Sequence, residues 1–406
     1  LAAIINSMGE AVYIAGVGVI SAIGNNVAEN IAAFKKEHAG IGAITHMNTR
    51  HKGELPVAEV KLDNDELAAL AGMPAETSRT KLLSVVAARE ALRDAGVENL
   101  PGLRTGFVSA NTVGGMDKSE DFFVEFIKNN NKGKLRRIFD HECGSVTEVV
   151  ANQLGITDHV STISTACSSS ANAVFYGARL IKNDLLDVVV AGGADALTKF
   201  TLNGFNTLMI LDKNFCKPFD DNREGLNLGE GAGYVVLVSA KVAAQLNKPM
   251  YCTLSGYNNS NDAYHQTASS PEGVGSFMAM QGALNKAGLQ ASAIDYVNLH
   301  GTGTPNNDSA EGTAVKRLFG NDYPAMSSTK SFTGHTLGAS GGIEAVYSVL
   351  AIKHGLIYPN LRFETPMQGI EIQPQKHLSK NAQVQHVLSN SFGFGGNCTS
   401  LIFSAC

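Results

Sequence analysis

The sequence predicts an α/β protein whose sheet is covered by helices on both faces. Apolar runs without polar alternation, such as VVVAGGAD at 188–195, recur between segments of helical periodicity, as expected of strands buried on both sides. The 406 residues exceed what one hydrophobic core usually serves, so two strongly fused halves are expected. The 42 glycines and 44% hydrophobic residues belong to a folded chain with many close backbone approaches.

In chain order, VYIAGVGVIS at 12–21 reads as a buried strand and IAAFKKEHAG at 31–40 as a short amphipathic helix, and the stretch to about 78 carries little signal. TKLLSVVAAREALRDAG at 80–96 is a helix with a glycine stop, and RTGFVSA at 104–110 is the next strand. The aromatic residues of SEDFFVEFIKNNN, within 111–135, are assigned to core or subunit packing ahead of a lid. A helix near 144–153 leads to the strand before Cys167. A small-residue turn through Cys167 opens a further helix, and strands follow at 187–193, 230–240 and 251–257.

The second half repeats the rhythm, with helices near 273–287 and 309–319, strands at 296–300 and 325–330, and a turn at 334–342 into a helix at 343–355. Closing strands at 384–390 and 399–405 bracket the loop NSFGFGGN. The helices after the two small-residue turns end IKND and IKHG, which suggests an internal duplication. The halves are placed at 12–245 and 246–406, with a slip of about three residues between the two turns.

Net charge is −5, without the positive excess that attracts nucleic acid. The run KNNNKGKLRR at 128–137 reads first as a solvated loop and second as a landing place for an acidic protein. Six scattered cysteines form neither a disulfide framework nor a zinc site, and no metal is expected. No membrane span or signal peptide is visible, and residues 1–7 are set aside as an appended remnant. A cytoplasmic location is expected, which makes the glycosylation pattern Asn397-Cys398-Thr399 a coincidence.

Cys167 carries the chemistry. A thiol at a helix N-terminus faces unpaired N–H groups and the positive end of the helix dipole, so its pKa is expected below the usual 8.5 or so. The alternative is a small buried hydrophobe. His300, immediately after a strand in HGTGTPNND, and His335, in STKSFTGHTLGASGG, are the candidate partners. Phe394 lies in a glycine loop that permits close approach of backbone to ligand. Gly229, Gly231 and Gly233 read as a strand-entry turn, since a nucleotide site would need a different strand–helix context.

TACSSS at 165–170, EGLNLGEGAG at 224–233, HGTGTPNND at 300–308, KSFTGHTLGASG at 330–341 and NSFGFGG at 390–396 together resemble the elongating β-ketoacyl-acyl-carrier-protein synthases of the thiolase superfamily. The resemblance spans nearly all of 12–405. It implies a duplicated, five-layer αβαβα fold and a Cys–His–His site at Cys167, His300 and His335, supported by Lys330 and Glu344. It also implies an oxyanion hole from the N–H groups of Cys167 and Phe394, a gating role for Phe394, and contacts from Thr267, Thr302 and Thr304 to a phosphopantetheine arm.

The implied reaction is decarboxylative condensation with malonyl-acyl-carrier protein in fatty-acid, polyketide or polyene synthesis. No cofactor is bound to the enzyme itself, because the phosphopantetheine belongs to a discrete acyl-carrier protein. A homodimer is expected, with a heterodimer as the alternative assembly and a noncatalytic chain-length-factor-like subunit as the alternative function. The sequence departs from the family pattern in a short 42–79 region, a divergent 111–145 segment, and Cys398 where asparagine is commoner.

Overall fold

The apolar runs pair into one sheet. The computed structural model describes residues 11–97, 102–370 and 372–406, so residues 1–7 lie outside it. The strands are β1 (Val12–Ser21), β2 (Thr105–Ala110), β3 (His159–Ile163), β4 (Val188–Asp195), β5 (Gly231–Ser239), β6 (Cys252–Asn261), β7 (Tyr296–Asn298), β8 (Ala325–Ser327), β9 (His386–Phe392) and β10 (Asn397–Ser404). The helices are α1 (Val27–Lys35), α2 (Asn64–Ala71), α3 (Arg79–Ala95), α4 (Met116–Lys128), α5 (Cys143–Leu154), α6 (Ser169–Lys182) and α7 (Lys199–Thr207). They continue with α8 (Ala240–Gln245), α9 (Val274–Ala287), α10 (Pro305–Phe319), α11 (Lys330–Thr333) and α12 (Ser340–His354).

The strand order is β3-β2-β4-β5-β1-β6-β10-β9-β7-β8. Read outward from the centre, each half repeats one plan: two antiparallel pairings, then two parallel ones. The halves join through a short ladder, Tyr13 and Ile14 against Thr253 and Cys252. Three apolar clusters separate five layers, αβαβα. One lies under α3 and α5, a central one encloses α6 and α12 between the half-sheets, and one lies under α9 and α10.

Period-two alternation explains the layering. In β5, Tyr234, Val236 and Val238 face the outer helices while Val235 and Leu237 face the centre. A bulge between Ile14 and Gly16 shifts the phase of β1, so Ile14 and Val17 both reach the central cluster. Every residue of α12 from Ser340 to Ala351 is buried, as a largely apolar helix between two sheets must be, with Glu344 paired to Lys330. Gly342 makes that position possible, because a Cβ there would lie 2.5 Å from the Gly233 carbonyl oxygen.

The duplication is visible in the turns. Ala166 and Leu337 each lie three residues before the first residue of α6 and α12, and both have φ of 53°, a left-handed value that is costly for a non-glycine residue. Counted from the helix starts, the slip disappears. Gly338, and not His335, is the positional counterpart of Cys167.

Three expectations need correction. The aromatic segment is α4, which has no buried residue; Phe123 and Ile127 are 58% and 70% exposed, so of the two packings expected the core one is overturned and subunit packing is untouched by this. Helices α10 and α12 begin earlier than expected, α10 because Pro305 is tolerated in a first turn where no N–H is needed, and α12 because glycines mask its start. Gly231 and Gly233 lie within β5, leaving only Gly229 in the turn. The basic run 128–137 is mostly exposed, in keeping with a solvated loop. Among the described residues no helix is long and apolar enough to cross a membrane.

Candidate active site

Two carboxylates on one face of α10 shape the loop that presents the first imidazole. Asp308 and Glu311 are three residues apart and so point the same way. Glu311 accepts the N–H groups of His300 (2.9 Å) and Gly301 (2.8 Å), and Asp308 accepts those of Thr302 (3.0 Å) and Gly303 (3.1 Å). Burial pushes the Glu311 carboxyl up to about 7. The loop is thus held by its backbone, leaving its side chains for the pocket.

Lys330 is 1% exposed and directs its ammonium to the Glu344 carboxylate, the His300 carbonyl (2.7 Å) and His300 Nδ1 (3.3 Å). An ammonium has only donors, so His300 Nδ1 accepts and the ring proton sits on Nε2. His335 reaches the same tautomer by another route, since its Nδ1 accepts the Leu337 N–H at 3.0 Å and lies 3.1 Å from Ser340 Oγ. The two rings stand edge to face, 5.5 Å between centroids. Burial, then Lys330, holds both imidazoles well below 6.5, and for His300 the other ring adds to this. Both rings are therefore neutral Nε2–H donors.

Cys167 sits two residues before α6, after the left-handed turn at Ala166. It shares one pocket of about 320 Å³ with His300, His335, Phe394 and all three candidate threonines. The threonines mark depth, with Thr267 exposed at the mouth, Thr304 half-buried and Thr302 buried. Phe394 stacks on Phe205 with centroids 5.8 Å apart, and Phe392 packs against His300.

The expectation of a depressed thiol pKa is overturned. Burial is the largest influence and pushes Cys167 up to about 11, outweighing the Lys330 charge and the N–H groups of Phe394 and Cys167 that favour the thiolate. The resting nucleophile is a thiol. Alkylation of Cys167 by iodoacetamide is accordingly expected to quicken about tenfold per pH unit from 7 to 10. A plateau near pH 7 or 8 would contradict the burial argument.

All the candidate site residues converge except Lys330 and Glu344, which lie behind His300 rather than on the pocket wall. Glu311, Asp308 and Asn397 were not singled out as site residues. The i, i+3 acidic pair after HGTGTP was a readable signal for the first two.

One reactive sulfur, two neutral imidazole donors and two backbone N–H groups in a duplicated αβαβα fold define a thiolase-type acyl-transfer enzyme. The chain matches the family models "Beta-ketoacyl synthase, N-terminal domain" over residues 9–243 and "Beta-ketoacyl synthase, C-terminal domain" over 251–364. It is 32% identical over 415 residues to a 3-oxoacyl-[acyl-carrier-protein] synthase 2 of Staphylococcus aureus (strain N315), covering 98% of this chain and 99% of that one.

Among solved structures it is similar to the ishigamide ketosynthase/chain length factor, with TM-score 0.92, 28% identity, and coverage of 98% of this chain and 100% of that one. It is also similar to a ketosynthase in complex with its chain length factor from Xenorhabdus doucetiae, with TM-score 0.84, 29% identity and 98% of each chain covered. The chain belongs to the β-ketoacyl synthase family.

Proposed function

We propose that this protein joins an acyl group held on Cys167 to a two-carbon unit from malonyl-acyl-carrier protein, releasing carbon dioxide and a β-ketoacyl-acyl-carrier protein. The observation that carries the reading is the convergence of a thiol, two neutral Nε2–H imidazoles and two backbone N–H donors on one pocket.

In the first half-reaction the Cys167 sulfur attacks the carrier thioester. A new S–C bond forms, the carrier S–C bond breaks, and the Cys167 thiol proton ends on the departing carrier sulfur. The Cys167 and Phe394 N–H groups hold the oxyanion, where one such donor contributes about 10²–10³ in rate.

Malonyl carrier protein then enters. The bond to its carboxylate breaks, carbon dioxide leaves, and the electron pair becomes an enolate whose oxygen accepts from His300 and His335 Nε2–H. The enolate carbon attacks the acyl-cysteine, a C–C bond forms, and Cys167 leaves as a thiolate that takes up a proton. Lys330 and Glu344 act from behind, fixing the His300 tautomer and the local charge.

Under this reading 12–245 carries the nucleophile and 246–406 both imidazoles. Thr267, Thr304 and Thr302 line the path of a phosphopantetheine arm borne by a discrete cytoplasmic carrier protein, and the enzyme holds no cofactor of its own. The exposed apolar stripe of α4, with Phe123, Phe126 and Ile127, supports a homodimer. The chain length factors named with the ketosynthase neighbours favour a heterodimer as the second assembly. Retention of Cys167, His300 and His335 speaks against a noncatalytic subunit.

Intact-protein mass measurement with a panel of acyl-carrier proteins tests the proposal, together with carbon dioxide release from malonyl carrier protein. Failure of both would overturn it. His335→Ala is expected to slow condensation by about 10²–10³ while acyl loading changes by less than about tenfold. Loss of loading with normal decarboxylation would reverse that assignment.

A further inference from the structure

We propose that Asn397 is a positioning residue for acyl transfer: it ties the turn behind the nucleophile to the loop bearing Phe394, and so fixes the separation of the two oxyanion donors. The inference rests on the reading of Cys167 as the acyl acceptor.

Asn397 opens β10, three residues after Phe394. Strand alternation sends its side chain, with those of Thr399, Leu401 and Phe403, toward the central layer, while Cys398 faces α9 beside Ala279. There Asn397 Oδ1 accepts from Ser168 Oγ at 2.7 Å, Asn172 Nδ2 at 2.8 Å and Asn259 Nδ2 at 2.8 Å. Ser168 directly follows Cys167 and is fully buried, and Asn172 lies one turn further along α6. Thr399 Oγ1 donates to Asn172 Oδ1 at 2.7 Å, which turns the Asn172 NH₂ toward Asn397.

The main chain of the same residue closes the other side. Asn397 O accepts the Gly393 N–H at 2.8 Å, pinning the loop that carries Phe394. That loop passes so close that a Cβ on Gly393 would lie 3.2 Å from Cys167 N. It then continues through two left-handed glycines, Gly395 (φ 79°) and Gly396 (φ 80°), which offer little stiffness of their own. The two donors therefore come from opposite halves of the chain, and the side chain and carbonyl of one asparagine bridge them.

Acyl transfer and alkylation ask different things of the same sulfur. Transfer passes through a tetrahedral oxyanion, whereas iodoacetamide loses iodide as the S–C bond forms and generates none. Asn397→Ala is expected to slow acyl loading from acyl-carrier protein by about tenfold or more, and to slow iodoacetamide alkylation clearly less, since alkylation draws on the same N–H groups only through the thiolate.

Unchanged loading, or an equal fall in both rates, would overturn the proposal. Ser168→Ala removes the same bond from the nucleophile side and is expected to give the same split, which decides the matter if Asn397→Ala does not fold. Unaltered protein that alkylates but never loads would instead overturn the reading of Cys167.

Discussion

Cys167→Ala is expected to abolish the acyl-protein mass adduct and to lower condensation by about 10⁴-fold or more, because no other group in the pocket can hold the acyl chain. The other described cysteines do not line that pocket, and Cys216, Cys252 and Cys398 are buried elsewhere. Malonyl decarboxylation should survive, since His300 and His335 remain with their Nε2–H groups in place. Carbon dioxide release without β-ketoacyl product is thus the signature sought. A persistent adduct would move the nucleophile to another residue.

The second large effect is expected from Lys330→Ala. Glu344 is 2% exposed, and burial already pushes its carboxyl up to about 7 despite the ammonium beside it. Its Oε2 has no hydrogen-bond partner among the described residues, so the pair is only partly satisfied even when intact. Removing the cation leaves a buried charge unpaired, a loss of about 3–5 kcal/mol.

The sign with pH follows. A carboxyl whose folded pKa is raised contributes most below its ordinary value, 4.5, and loses that contribution as pH rises through about 7. Without Lys330 the folded pKa rises further. The stability gap between variant and unaltered protein should therefore widen from pH 5.5 to pH 8 in denaturant titrations. Lys330→Met combined with Glu344→Leu should recover much of the loss, whereas a gap independent of pH would rule out the unpaired charge as its cause.

The alternation of strand and helix, the duplication and the Cys167, His300 and His335 constellation were legible because each leaves a local mark: an apolar run, a repeated helix ending, or a glycine-rich turn around a reactive residue. Properties set by distant packing were not. The helix-start argument for Cys167 saw the N–H groups but not the layers that remove water from the sulfur, and desolvation reversed the sign. The stripe of α4 has helical periodicity, yet periodicity cannot say whether a core or open solvent lies beneath it. Asn397 drew notice only as part of a glycosylation pattern, since its partners Ser168 and Asn172 are more than two hundred residues away in the chain.

The matched bends at Ala166 and Leu337 describe two like seats, one at the start of each central helix, and the two hold different things. At the second, the Gly338 N–H holds the carboxylate of Asp195 at 2.7 Å, so the protein supplies its own permanent guest. The first opens instead onto the pocket that Cys167 lines. An engineer wanting a second reactive centre in this fold would begin by freeing the Gly338 N–H from Asp195.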